Sequence, residues 1–326
     1  MNDDNLMNRR EFLKRTLPVG GIAVASVGLG LWLHNREEYG KVENLVAQVR
    51  DFSVHLDEAS PQMAIAHGEL PAQITKAAID GLGGIGKFIS RGDVVVLKPN
   101  IGWDRMPQQA ANTNPEVVKT VVELCYNAGA RKVIVTDVSC NEARRCFLRS
   151  GIAEAAESIG AEVELPEERK FRELNLGGEV LGTRLVYTTF VEADKVINIP
   201  IAKHHNLTGA TLAMKNWYGI LGGRRNQLHQ HIHESIADLG TFLRPTLTIL
   251  DAYRVLMRNG PQGGNLSDVV ERKTIIASVD QVAIDAYAGE TFFSLTPERL
   301  QYLKIAHERK IGNMNYRELR IKEIIV

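Results

Sequence analysis

Short stretches of uninterrupted apolar, β-branched residues alternate along the chain with segments whose apolar residues recur every three or four positions. "DVVVLKPN" (93–100) and "RKVIVTD" (131–137) have the pattern of buried strands. Between them "NPEVVKTVVELCYNAGA" (114–130) has a helical period, with Asn114 as cap, Pro115 at the first helical position and a glycine near its end. This pattern predicts a βαβ unit. A further helix is expected over "ARRCFLRSGIAEAAESIGA", then strands at "EVEL", "RLVYTTF" and "KVINIPI", and later strands at "PTLTILD" and "KTIIASVD". Helices over 281–293 and 297–309 and a closing strand, "LRIKEIIV", complete the pattern. The expected fold class is α/β, a largely parallel or mixed sheet flanked by helices, with a ligand cleft at the carboxyl ends of the strands; no internal repeat or low-complexity stretch opposes it.

The first apolar segment is of another kind. "TLPVGGIAVASVGLGLWL" (16–33) carries no charge and follows "NRREFLK" (8–14), in which Arg9 and Arg10 precede Phe12, Leu13 and Lys14. This stretch resembles a twin-arginine export signal, with Asn8 in place of the usual Ser or Thr. Four glycines, Gly20, Gly21, Gly28 and Gly30, lower the hydrophobicity and helix propensity of the run, as such a signal needs. The resemblance implies the twin-arginine translocase as a partner and a periplasmic destination. "AVA" (23–25) is a cleavage candidate. Left uncleaved, a run of this length at about 1.5 Å per residue nearly spans a bilayer and would tether the protein to the inner membrane. The expected organisation is therefore a signal or anchor over 1–33, a charged linker over 34–60, and an α/β domain, whole or in two lobes, over 61–326.

Lys plus Arg and Asp plus Glu both number 39, so there is no basic field to hold nucleic acid, which is excluded as an expected partner. The three cysteines, Cys125, Cys140 and Cys146, include no iron–sulfur or structural-zinc spacing, so any metal must use other ligands. Cys125 falls on an apolar helix face and reads as core; Cys140 and Cys146 are read either as a disulfide formed after export or as two thiols.

Polar residues gather at the ends of the apolar strands: Lys98 and Asn100, Asp137 with Ser139, Lys203 to His205, and Asp251. In open α/β sheets that edge is where ligands bind. A buried ammonium without a partner costs several kcal/mol, so Lys98, Lys203 and Lys215 together point to a small anionic ligand, a phosphate or a carboxylate. Asn100, Thr208, Asn216 and Arg224, the last beside Arg225 on the glycine-rich "GGRRNQ" (222–227), are the further candidate contacts, and His205 and Asp137 the candidate acid or base. "HQHIHE" places His229, His231 and His233 two apart, a set that either supplies imidazoles to a divalent metal, with Asp137, Asp251 or His205 completing it, or forms a solvated run opening the helix "ESIADLGTFL". "GLGGIG" (81–86) fits a dinucleotide-binding pattern but follows a helical stretch, so that reading is rejected. Asn206-Leu207-Thr208 fits a glycosylation sequon but lies within the expected cleft.

"VVVLKPNIG", "TNPEVVKTVVELCYNAGARKVIVTD", "INIPIAKHHNLTGATLAMKNWYGILGG", "IADL", "PTLTILDA", "GPQGG" and "ASVDQVAIDAYAG" resemble, in order, the blocks of the domain of unknown function 362 family, over most of residues 93–290. The resemblance implies an α/β fold and an unassigned activity. Many members carry a fused ferredoxin-like iron–sulfur module, whose cysteine pattern this chain lacks. Two function classes follow: an exported enzyme acting on a small anion, or a binding or assembly factor that holds a metal or cofactor without turning it over. A redox partner within an exported complex is the third.

Overall fold

The computed structural model describes residues 47–57 and 59–326, so the twin-arginine stretch and the uncharged run lie outside the described residues. In chain order the first half contains β1 (Met63–His67), α1 (Pro71–Gly81), β2 (Val94–Pro99), α2 (Pro115–Asn127), β3 (Lys132–Val135), α3 (Ala143–Arg149), α4 (Ile152–Glu157) and β4 (Glu162–Val163). Then come β5 (Phe171–Asn175), β6 (Thr183–Tyr187), α5 (Thr189–Glu192), β7 (Lys195–Ile199), β8 (Ile201–His205) and β9 (Gly209–Thr211). Two 3-10 segments, Met214–Ile220 and Arg225–His231, lead into α6 (Ile232–Phe242), β10 (Leu247–Leu256), β11 (Val269–Ser278), α7 (Gln281–Phe293), α8 (Gln301–Glu308) and β12 (Ile321–Ile325).

Ten strands form one sheet in the order β12-β1-β11-β10-β7-β2-β3-β4, with β8 joined to β10 and β9. From β10 to β4 the neighbours are parallel, whereas β11 runs antiparallel to both β10 and β1. The sheet is thus mixed, and the long antiparallel pair β10–β11 forms much of its centre. The predicted βαβ unit is present: β2 and β3 pair in parallel from Val94 opposite Lys132 to Leu97 opposite Val135. The helix between them begins at Pro115, with Asn114 Oδ1 accepting from the Glu116 N–H.

The pleat sends alternate β2 residues to opposite faces. Val95 and Leu97 pack in one core with Val118, Val122 and Cys125 of α2, and Val96 in the other with Trp217 and Leu250. Both faces are covered, which is why these strands read as continuous apolar runs rather than alternating ones.

Some of the expected elements take another form in the structure. The helix expected over 143–161 is two, because Gly151, at φ 73°, leaves the helical region between α3 and α4. "RLVYTTF" gives β6, which pairs antiparallel with β5 outside the main sheet before the chain turns into α5. In "GLGGIG", Gly81 closes α1 and Gly83 and Gly84, both with positive φ, turn the chain, so the stretch ends a helix instead of opening one. Among the described residues no helix is long and apolar enough to cross a membrane.

Pro200 fixes the place of the site. β7 pairs with β2 as far as Ile199 opposite Pro99. Beyond Pro200 the same run continues as β8, which pairs with β10 and folds back on β9. At that point β2 has ended, and the space it would have filled lies between the residues following it and β8. Thr113 joins the two strand ends, its hydroxyl accepting from the Asn100 N–H and donating to the Ile199 carbonyl.

Candidate functional site

Three strand ends and one 3-10 segment bring their polar residues into a single hydrogen-bonded network. Lys98, at the end of β2, is fully buried and donates to Asp137 Oδ1 at 2.5 Å, to the Pro99 carbonyl at 3.1 Å and to Asn216 Oδ1 at 3.3 Å. Asp137, just past β3, takes the Ile101 N–H on its other oxygen at 2.7 Å. Asn216 donates to the Lys98 carbonyl and to Asn198 Oδ1, and accepts from Asn100 Nδ2 at 2.9 Å. Asn100 Oδ1 in turn accepts from Lys203 Nζ at 2.9 Å, and the Ala111 carbonyl accepts from the same ammonium at 2.5 Å. Lys98 and Lys203, on separate strands, are therefore joined through one asparagine pair.

The lysines differ in how their charge is met. Burial lowers the Lys98 pKa, and Asp137 opposes that shift as its ion-pair partner. Lys203, 1% exposed, has only neutral acceptors, and burial pushes it down to about 7, with Lys215 and Lys98 adding repulsion. Lys215, 7% exposed, is pushed down to about 8 by burial; its one recorded partner among the described residues is the Tyr218 ring, 4.4 Å from Nζ. All three border a cleft of about 470 Å³, whose lining includes four lysine or arginine residues, Lys98, Lys203, Lys215 and Arg225, against a single carboxylate, Asp137. With Lys98 and Asp137 paired, the remaining cations give the cleft a net positive field.

His205 ends β8 with its Nδ1 facing the backbone N–H groups of Leu207 and Thr208 at 3.2 and 3.4 Å. Because Nδ1 accepts, the ring proton sits on Nε2. Burial, followed by repulsion from Lys215, lowers the His205 pKa to about 2, so the ring is a neutral donor. His229 stacks on it, ring centroids 6.2 Å apart, and meets Tyr218 edge-on.

Of the residues expected at the site, Lys98, Asn100, Asp137, Lys203, His205, Lys215, Asn216 and His229 line the cleft. Thr208 does not; its hydroxyl donates to the Ala210 carbonyl in the β8–β9 turn. Arg224 is exposed and outside the lining, and its neighbour Arg225 enters instead. The three histidines part company: His231 is exposed, and His233 stacks on Tyr302 of α8. Asp251 is buried, taking the N–H groups of Asn114 and Tyr253, with its pKa raised by burial to about 6. Among the described residues no three His, Cys, Asp or Glu side chains gather as a metal would require.

Further residues line the cleft or hold its walls in place. Arg225 donates to the carbonyls of Val138, Ser139 and Tyr218, fastening the loop after β3 to the 3-10 segment. Cys140 lies on that loop, exposed, with Sγ 3.4 Å from Arg225 Nη2; it and the buried Cys146 are free thiols. Asp285 of α7 holds the start of the Met214–Ile220 segment by accepting from the Ala213 and Met214 N–H groups. Gly219 covers the Lys98–Asp137 pair, and any β-carbon there would overlap the Asp137 carboxylate. Strand-end position would have found Cys140, three residues beyond Asp137; the Asp285 contacts join segments about seventy residues apart and leave no local pattern.

Comparison with known proteins adds a family. The pattern of a domain of unknown function (DUF362) matches residues 95–290, more than half of the chain. Thylakoid-associated protein sll1697 of Synechocystis sp. is 27% identical over 235 residues, 67% of this chain and 68% of that protein. Among solved structures, a protein from Thermotoga maritima aligns over 77% of this chain and 59% of its own, at 10% identity and a TM-score of 0.38. The lactate racemase apoprotein from Thermoanaerobacterium thermosaccharolyticum aligns over 70% of this chain and 57% of its own, at 12% identity and a TM-score of 0.39. The chain thus spans less than two thirds of either solved structure.

Proposed function

The chain belongs to the DUF362 family, and on that premise we propose that it is an exported enzyme acting on a small phosphate- or carboxylate-bearing molecule held by Lys203 and Lys215. The observation that carries this reading is Lys215. Its ammonium is almost wholly buried beside the cleft, and no carboxylate or carbonyl among the described residues receives it. An anion seated there offsets the repulsion between Lys215 and Lys203 and replaces the water that burial has removed.

The chemistry that fits is proton transfer. Burial holds Lys203 at about 7 in the free protein, and a bound anion favours its charged form, from which it can give a proton to the substrate as a general acid. His205, neutral and with its proton on Nε2, supplies a hydrogen bond to a substrate oxygen and is not the base. Asp137 is committed to Lys98 and the Ile101 N–H, and acts by keeping Lys98 and the strand ends in place. The positive field of the cleft favours an anion over a divalent cation, so this reading contains no metal step.

Export rests on Arg9, Arg10 and the uncharged run after them. The thylakoid association in the name of the Synechocystis relative is in keeping with a protein handled at a membrane.

Calorimetric titration with inorganic phosphate and with short dicarboxylates tests the anion site. Either ligand should raise the unfolding temperature, the gain following RT ln(1 + [L]/Kd), about 2.7 kcal/mol at a hundredfold excess over Kd. Lys215→Met should remove the gain. No heat and no thermal shift with either anion would overturn the reading, and anion binding without turnover of any bound acid would make the protein a binding factor instead.

A further inference from the structure

The cleft holds a nucleophile that proton transfer leaves unused. Cys140 is the exposed one of the three cysteines, whereas Cys125 and Cys146 are buried in the core. Its position is built from both sides. Its own N–H donates to the Gly102 carbonyl at 2.9 Å, fixing the loop after β3 against the loop after β2. Arg225 Nη2 donates to the Ser139 carbonyl at 2.7 Å and faces Sγ at 3.4 Å, so a guanidinium donor is aimed at the sulfur before any charge forms on it. The same cleft is bordered by Lys203 and by Lys215, the buried ammonium without a hydrogen-bond acceptor among the described residues.

We propose that Cys140 is a covalent nucleophile directed at small acids that carry an electrophilic carbon, the acid group sitting on Lys203 and Lys215 while the thiol attacks. This rests on the anion reading above and adds to it the substrate's second feature. With an aldehyde or keto acid the step is an addition. The sulfur lone pair forms the C–S bond, the carbonyl π pair moves to oxygen, and that oxygen takes the proton the thiol gives up, leaving a thiohemiacetal with no change of redox state. The His205 Nε2–H is the neutral donor available to the same oxygen.

Alkylation kinetics test the assignment on the folded protein. Iodoacetate and iodoacetamide both displace iodide to give a C–S bond, and the thiol proton goes to solvent. Free cysteine reacts faster with the neutral amide. Cys140 should reverse that order by about tenfold, because the cationic cleft concentrates the anionic reagent. Its rate with iodoacetate should saturate with concentration and fall when inorganic phosphate is added. Peptide mapping should place the label on Cys140, with Cys125 and Cys146 unmodified as internal controls, and Cys140→Ser should take up none. In Lys215→Met the order should revert to that of free cysteine. Phosphate binding by calorimetry together with slow, unsaturable labelling of Cys140 overturns this proposal and leaves the anion site standing. Loss of phosphate binding and of the iodoacetate preference together overturns both.

Discussion

Gly219 lies over the carboxylate of Asp137 so closely that a β-carbon on the glycine would overlap Oδ1, with Lys98 Nζ the next atom it meets. The 3-10 backbone is therefore the lid of the buried ion pair, and Val138 secures it by donating its N–H to the Gly219 carbonyl. Gly219→Ala should cost about 1–3 kcal/mol in chemical denaturation, the usual range for overfilling a packed interior, and should weaken phosphate binding as Lys215 and Asn216 move with the segment. A variant as stable as the parent, with unchanged affinity, would show that the segment shifts freely.

Anion affinity should fall as pH rises through about 7 to 8. Lys203 and Lys215 hold protons only to about 7 and about 8 in the folded protein, against 10.5 ordinarily. A bound anion favours the charged forms, so binding takes up protons in that window, and titrations in buffers of different ionisation enthalpy will count them. In the free protein the unfolded chain holds the extra protons between about 7 and 10.5, so stability rises with pH across that interval. Lys203→Met should flatten the rise and leave the free protein as stable as the parent or more so at pH 7.

Asp285 works in the opposite sense. Burial raises it to about 7, so between the ordinary carboxylate value and about 7 the folded protein holds the proton that the unfolded chain has lost, and stability falls as pH rises over that interval. Asp285→Asn should remove this slope. It also leaves one side-chain oxygen for the N–H groups of Ala213 and Met214, at a cost of about 1–3 kcal/mol. Urea unfolding at several pH values distinguishes the two effects.

His205 should not titrate between pH 5 and 8. Nitrogen-15 spectra of its ring should show a protonated Nε2 and a bare Nδ1 throughout, since burial holds its pKa near 2. His205→Ala should retain phosphate binding and lose turnover. A ring that titrates near 6.5 would restore it as a candidate base.

Replacing Arg9 and Arg10 together by Lys should leave the folded domain intact and confine it to the cytoplasm, as cell fractionation would reveal. Periplasmic recovery of that variant at parental yield would refute the export reading.

The sequence made the frame of the site legible because its key residues sit at strand ends, where an apolar run stops on Lys98, on Asp137, or on Lys203 and His205. Topology then brings those ends together without further information. The three histidines are spread apart for a geometric reason: the chain is 3-10 through His231 and α-helical from Ile232, so neither the two-residue nor the four-residue spacing aligns their rings. Arg225 and Arg224 were indistinguishable in a glycine-flanked pair, because only the carbonyls of Val138, Ser139 and Tyr218 select one of them. Asp285 and Gly219 were invisible for a different reason, since each matters through a partner distant in sequence.

The break at Pro200 divides responsibility within the cleft. Its floor is made of strand backbone, the end of β2 and the length of β8, with Lys98 and Lys203 fixed in a hydrogen-bonded ladder. Its rim includes loop residues, among them Gly102 and Trp103 after β2 and Pro261 before β11. A floor of this kind changes only if the sheet changes, whereas a rim loop is exchangeable. Changing the Trp103 side chain, which lines the cleft on the loop after β2, would therefore alter the size of molecule admitted while the preference for an acid group, set by Lys203 and Lys215, stays as it is, which makes the scaffold suited to redesign for new acids.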